Sequence, residues 1–147
     1  MILQIQKGEN NPILREKSVP VEIITADILG LAKDMIETMV KNNGVGLAAA
    51  QIGKNIRMFV INREFSTKQI FINPEIFKMS RKTETIEEGC LSFPGLYKKI
   101  SRAKTIKIRA LDENGKEFKL KTKGLLARIL QHEMEHLDGI LIIDKNS

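Results

Sequence analysis

The sequence predicts an α+β domain in which antiparallel strands pack around a C-terminal helix. Three observations lead there: an early apolar stripe with helical spacing, a middle third of short β-rich segments, and an amphipathic stretch over roughly 124–137. Strands gathered between two helices, without strand–helix alternation, argue against a parallel βαβ sheet.

The opening segment over 11–23 contains two prolines and reads as an extended surface stretch. Thr25 is placed to cap a helix, with Asp27 in the first turn. Ile28, Leu31, Ala32, Met35, Ile36 and Met39 follow with helical periodicity and are expected to face the core. Asn42, Asn43 and Gly44 supply the stop. Strands are expected at 56–61, 69–72 and 83–86, which are rich in β-branched or aromatic residues. From Thr105 to Leu111, Ile106, Ile108 and Ala110 alternate with Lys107 and Arg109, the pattern of a half-buried strand. Asp112 to Gly115 makes a turn, and 117–122 returns as the partner. A helix over 124–137 follows, ending at Gly139.

With 147 residues, no repeat and no linker, the chain is expected to be one domain over 1–147. No apolar run approaches the roughly 18 residues a membrane span needs, and no signal-peptide pattern opens the sequence. One cysteine cannot form an internal disulfide, so a cytoplasmic location is the expectation. Lys plus Arg is 24 against 18 Asp plus Glu, for a net charge of +6. The lysines are spread along the chain and aromatic content is 5%, so the sequence predicts a solvated basic surface without dedicated nucleic-acid binding.

The two histidines of the chain, His132 and His136, stand four apart with Glu133 between them. Helical residues at that spacing share a face about 5–6 Å apart at Cβ, so both imidazoles can bind one transition metal. The intervening glutamate can then act on water at that metal. The amphipathic Leu125, Leu126, Ile129 and Leu130 bury the same helix. A third protein ligand is needed, and few residues follow His136. Asp138 and Asp144 are options, but Cys90, in the Glu-Glu-Gly-Cys-Leu-Ser run over 87–92, is better placed. Gly89 and Pro94 describe a turn that would present its sulfur. A further run, Gly44 to Gly53, is dominated by small residues that allow close backbone approach. Its polar member, Gln51, is suited to donate a hydrogen bond to a developing oxyanion.

These three runs, in this order, resemble the peptide deformylase family, and the likeness covers nearly the whole chain. It includes the Pro12-Ile-Leu-Arg15 segment, Asn73-Pro74 and the 126–131 approach to the histidines. The resemblance implies a hydrolase that removes the N-formyl group from nascent polypeptides beginning with formyl-methionine, releasing formate. It implies Cys90, His132 and His136 as ligands of one divalent metal, Fe2+ in cells, with Zn2+, Ni2+ or Co2+ able to replace it. Glu133 would be general base and then acid. Gln51 and the Leu91 N–H would hold the oxyanion, and Gly46 backbone would pair with the extended peptide.

Two supporting roles are also expected. Glu88 would accept the free N–H of a ligand histidine, with Arg102 as its ion partner. Ile86, Leu125 and Ile129 would line an apolar pocket for methionine. Glu135 stands where family members usually carry aspartate, and is expected to alter a supporting contact. Phe93 and Tyr97 are bulkier than in some members. The chain ends soon after the helix, where many bacterial members have an extension that docks on the ribosome, so any ribosome association is expected to be weak. The competing reading is a catalytically impaired, deformylase-like metal-binding or interaction protein.

Overall fold

The computed structural model describes residues 1–145. It contains three α-helices, α1 (Pro12–Arg15), α2 (Ala26–Lys41) and α3 (Gly124–Leu137). Its strands are β1 (Gly46–Ala48), β2 (Met58–Ile61), β3 (Ile70–Met79), β4 (Thr83–Cys90), β5 (Phe93–Ala103), β6 (Thr105–Leu111) and β7 (Glu117–Lys123). Five strands form an antiparallel sheet in the order β1-β2-β3-β6-β7, and β4 and β5 form a separate two-stranded ribbon. The predicted α+β class is the observed one. No helix among the described residues is long and apolar enough to cross a membrane.

Burial explains which side each element takes. β2 is buried along its whole length because helices cover both its faces. Phe59 and Ile61 point into a core with Phe71, Ile106, Ile108 and, from α3, Ala127, Ile129, Leu130 and Leu137. Met58 and Val60 point the other way, onto Ala32, Met35 and Met39 of α2. Thr25 caps α2 by accepting from the Ile28 N–H at 3.3 Å. All six apolar positions predicted for that helix belong to this second core.

The opening segment is not wholly extended. Asn11 accepts from the Ile13 N–H at 3.0 Å, Pro12 occupies the first turn, and the short α1 buries Leu14 completely. Proline there needs no N–H partner, so it starts a helix instead of breaking one. The strand expected at 69–72 continues to Met79. Asn73 takes a left-handed φ of 50° while its side-chain amide exchanges two 2.8 Å bonds with the Val21 backbone. The ladder shifts register between Ile72 and Glu75, and this irregularity absorbs Pro74, which has no N–H to donate.

The segment at 83–86 is likewise only the start of a strand reaching Cys90, and its partner β5 was not predicted. Side chains of α3 hold this ribbon in place. Gln131 bridges both backbone groups of Ala103, accepting at 3.0 Å and donating at 2.9 Å. Arg128 donates to the Ile100 carbonyl at 2.9 Å.

Candidate active site

The ribbon brings Cys90 to the two histidines of α3. Sγ lies 3.3 Å from His136 Nε2, and the two imidazole rings are 5.0 Å apart at their centroids. One donor atom from each of Cys90, His132 and His136 falls within 4.8 Å of the others. Donors about 2.0–2.3 Å from a tetrahedral ion would stand roughly 3.3–3.6 Å apart, so this set fits one transition metal. Asp138 and Asp144 are not part of the cluster. They pair instead with Arg57 at 3.0 Å and Arg15 at 2.6 Å.

Glu88 fixes the orientation of His132. His132 Nδ1 donates to Glu88 Oε1 at 3.1 Å, turning Nε2 towards the sulfur. The same carboxylate receives a two-pronged contact from Arg102, at 2.6 and 3.0 Å, and a further bond from Arg128. Arg102 also donates to Glu135 at 2.7 Å, whose other oxygen meets Lys145 at 2.6 Å. The longer side chain at 135 thus belongs to an ion network behind the ligands. Glu135 makes the supporting contact expected of it, whereas the sequence does not single out Arg128. A buried arginine on an otherwise apolar helix face is the signal that would have singled out Arg128.

Charge is balanced around this network. Burial pushes the Glu88 carboxyl up, but hydrogen bonds from His132 and Arg102 outweigh it and hold the group at about 2. Burial alone would lower His132. Its contacts with Cys90 and Glu88 instead raise it to about 10, so the locus between sulfur and carboxylate favours a cation. A metal ion held there would take the place of that proton. His136 is held well below the usual histidine range by burial and by the charges of His132 and Arg102. It is therefore neutral and able to ligate.

Glu133 is 2% exposed, and its Oε1 has no hydrogen-bond partner among the described residues. Burial pushes its carboxyl up to about 7, against the pull of His132 and Arg102. The other half of the carboxylate packs on Gly46 of β1.

Gln51 is positioned from both ends. Its Oε1 accepts from the Ala48 N–H at 2.9 Å. That bond directs the amide nitrogen to Ser92 Oγ at 3.1 Å and to Cys90 Sγ at 3.6 Å. Ser92 is a further residue the sequence did not single out. Leu91 follows Cys90 in the turn between β4 and β5, so its backbone stays beside the sulfur. β1 lies at one end of the five-stranded sheet and, among the described residues, pairs with the single strand β2; on its other edge the Ala48 N–H is taken by Gln51, and Gly46 has no strand partner there.

The expected methionine-pocket residues take different environments. Ile129 is 4% exposed and belongs to the core beneath α3, whereas Ile86 and Leu125 are 42% and 53% exposed. A cavity of about 740 Å³ elsewhere in the molecule is lined by Arg102, Gln131 and Glu135 among others. None of the three donors lines it, so it reaches the back of the ion network instead of the ligands.

Comparison with known proteins places this geometry. The family model for polypeptide deformylase matches residues 2–147. The chain is 48% identical over 145 residues to peptide deformylase 1 of Clostridium perfringens, covering 98% of each. It is also 48% identical over 145 residues to a peptide deformylase of Dictyoglomus thermophilum, covering 99% of this chain and 93% of that one. The fold superposes on the crystal structure of peptide deformylase from Thermotoga maritima with a TM-score of 0.95 at 38% identity, covering 100% and 99% of the two chains. A peptide deformylase from Synechococcus elongatus, solved in complex with actinonin, gives a TM-score of 0.94 at 36% identity, covering 99% of this chain and 79% of that one.

Proposed function

The chain belongs to the polypeptide deformylase family, and from that membership we propose how its residues hydrolyse formyl-methionyl peptides. The observation that carries this reading is the convergence of Cys90, His132 and His136 beside a buried, half-unpartnered Glu133.

Cys90, His132 and His136 would hold one divalent ion, which would supply Lewis acidity and lower the pKa of water from ~16 towards ~7. Cys90 binds as thiolate and His136 as the neutral imidazole, while Glu88 fixes the ring of His132. Glu133 Oε1 takes the proton of the water that attacks the formyl carbon. It then returns the proton to the amine nitrogen as the C–N bond breaks, releasing formate and a free N-terminus. Gln51 Nε2 and the Leu91 N–H donate to the formyl oxygen as charge grows on it. The free edge of β1 at Gly46 pairs with the extended peptide. Ile86, Leu125 and Ile129 line the methionine pocket.

Iron(II) is the proposed ion in cells, with zinc, nickel or cobalt able to take its place. A thiolate ligand beside a ferrous ion makes activity sensitive to air. The proposed substrates are nascent chains in the cytoplasm, met through weak ribosome association.

A formate-release assay on formyl-Met-Ala-Ser under anaerobic conditions with ferrous iron tests the reading. Glu133→Ala is expected to lose about 10²–10⁴-fold in turnover with metal still bound. Full turnover in that variant would overturn the role given to Glu133. Failure of the unmodified protein to release formate would favour an impaired, metal-binding relative.

A further inference from the structure

The five-stranded sheet has two ends with different cover. α2 packs over the outer face at β1 and β2, but β6 and β7 leave that face open. Lysines dispersed in the sequence between 78 and 123 collect there through strand pairing. Lys78 stands opposite Lys107, and Lys107 opposite Lys121, so three ammonium groups form a row across β3, β6 and β7. Lys119 and Lys123 flank the row along β7. None of these five lysines forms an ion pair among the described residues.

Like charges in directly opposed positions destabilise a sheet. Lysines on an edge strand guard against strand-to-strand aggregation, which accounts for those on β7. It does not account for Lys78 and Lys107, because β3 and β6 are interior strands. An aromatic ring is set among the same charges. Phe77 is 40% exposed, with the Arg109 guanidinium 5.3 Å and the Lys119 ammonium 5.9 Å from its centroid. Cations tracking a backbone beside an exposed aromatic ring are the elements that hold unpaired nucleic-acid strands.

We propose that this face binds a single-stranded nucleic acid, with phosphates on Lys78, Lys107, Lys119 and Lys121 and one base stacked on Phe77. The sheet lies between this face and α3, so an occupant leaves the metal ligands open. The proposal therefore stands apart from the reaction, and it replaces the sequence-based expectation of a merely solvated surface.

Fluorescence anisotropy of a labelled uridine oligonucleotide with the intact protein tests it, over about 50 to 200 mM salt. Binding should weaken linearly on logarithmic axes. The triple variant Lys107→Gln, Lys119→Gln, Lys121→Gln should flatten the slope by about 2, from ~0.7 per phosphate contact on a single strand. Phe77→Ala should weaken binding about 5- to 100-fold with the slope unchanged. Deformylation of a short peptide should be unaltered in both variants, which shows that they remain folded. No binding at low salt, or a triple variant that binds like the parent, overturns the proposal. So does unchanged affinity in Phe77→Ala, which marks a face for any polyanion. Binding to phosphatidylglycerol vesicles without binding to the oligonucleotide overturns it as well.

Discussion

The Glu133 carboxylate rests on the backbone of Gly46. A Cβ at residue 46 would lie 2.7 Å from Glu133 Oε2 and 3.1 Å from its Cδ. The glycine therefore sets how closely β1 approaches α3, and with it the place of the proposed proton carrier.

Gly46→Ala is expected to push that carboxylate aside. A displacement of about 1 Å at a reacting group costs on the order of 100-fold in rate. kcat/KM on a formylated peptide should fall by about that factor while elemental analysis finds the metal content unchanged. Near-normal turnover would mean the carboxylate has room to move.

Glu88→Ala removes the acceptor of His132 and a carboxylate partner of both Arg102 and Arg128, which are 4% and 6% exposed. Breaking a buried ion cluster by deleting one member costs about 3–5 kcal/mol. Metal affinity is expected to drop about 10–100-fold, measured by competition with a chelator. Glu88→Gln keeps an acceptor for the Nδ1 proton and should retain more affinity than the alanine variant. Equal affinities for Glu88→Ala and the parent would remove Glu88 from the metal site.

Burial separates the two pocket candidates on α3. Ile129→Ala empties core space and should lower stability by about 2–5 kcal/mol in denaturant unfolding. Leu125→Ala touches an exposed position and should leave stability within about 0.5 kcal/mol. Its expected effect is a loss of about 10-fold in preference for formyl-methionyl over formyl-alanyl peptides. An unchanged preference would exclude Leu125 from the pocket.

Acid should loosen the turn between β6 and β7. Asp112 Oδ1 accepts from the Lys116 N–H at 3.0 Å and the Asn114 N–H at 2.8 Å. The Lys116 and Asn114 bonds outweigh burial and hold the carboxyl below its ordinary value. A lowered folded-state value means the contribution is present above the unfolded pKa of about 3.9 and is lost as pH falls through the folded one. The stability gap between the parent and Asp112→Asn should be open at neutral pH and close in acid. A gap independent of pH would show that the carboxylate charge is not what holds the turn.

Legibility in the sequence followed the strength of local pattern. Thr25 and the apolar stripe of α2 were readable because cap and period agree, as were the alternating positions of β6. The β4–β5 ribbon was only half read, since seven of the eight β4 residues lack full burial and impose no alternation. α1 is not legible in the sequence because proline both breaks helix interiors and starts first turns, and one short turn carries no period. At the site, the proposed ligands and Gln51 are visible as motif members. Arg128 and Ser92 join through contacts 40 and 41 residues away in the chain, and no local period announces them.

Cys90 arrives on the two-stranded ribbon, and both histidines ride on α3, so a cation held by the proposed ligands would rivet two separately built parts together. Stripping it would remove more than a reactive centre. Without it the ribbon would stay tethered to α3 by side chains such as Gln131 and Arg128.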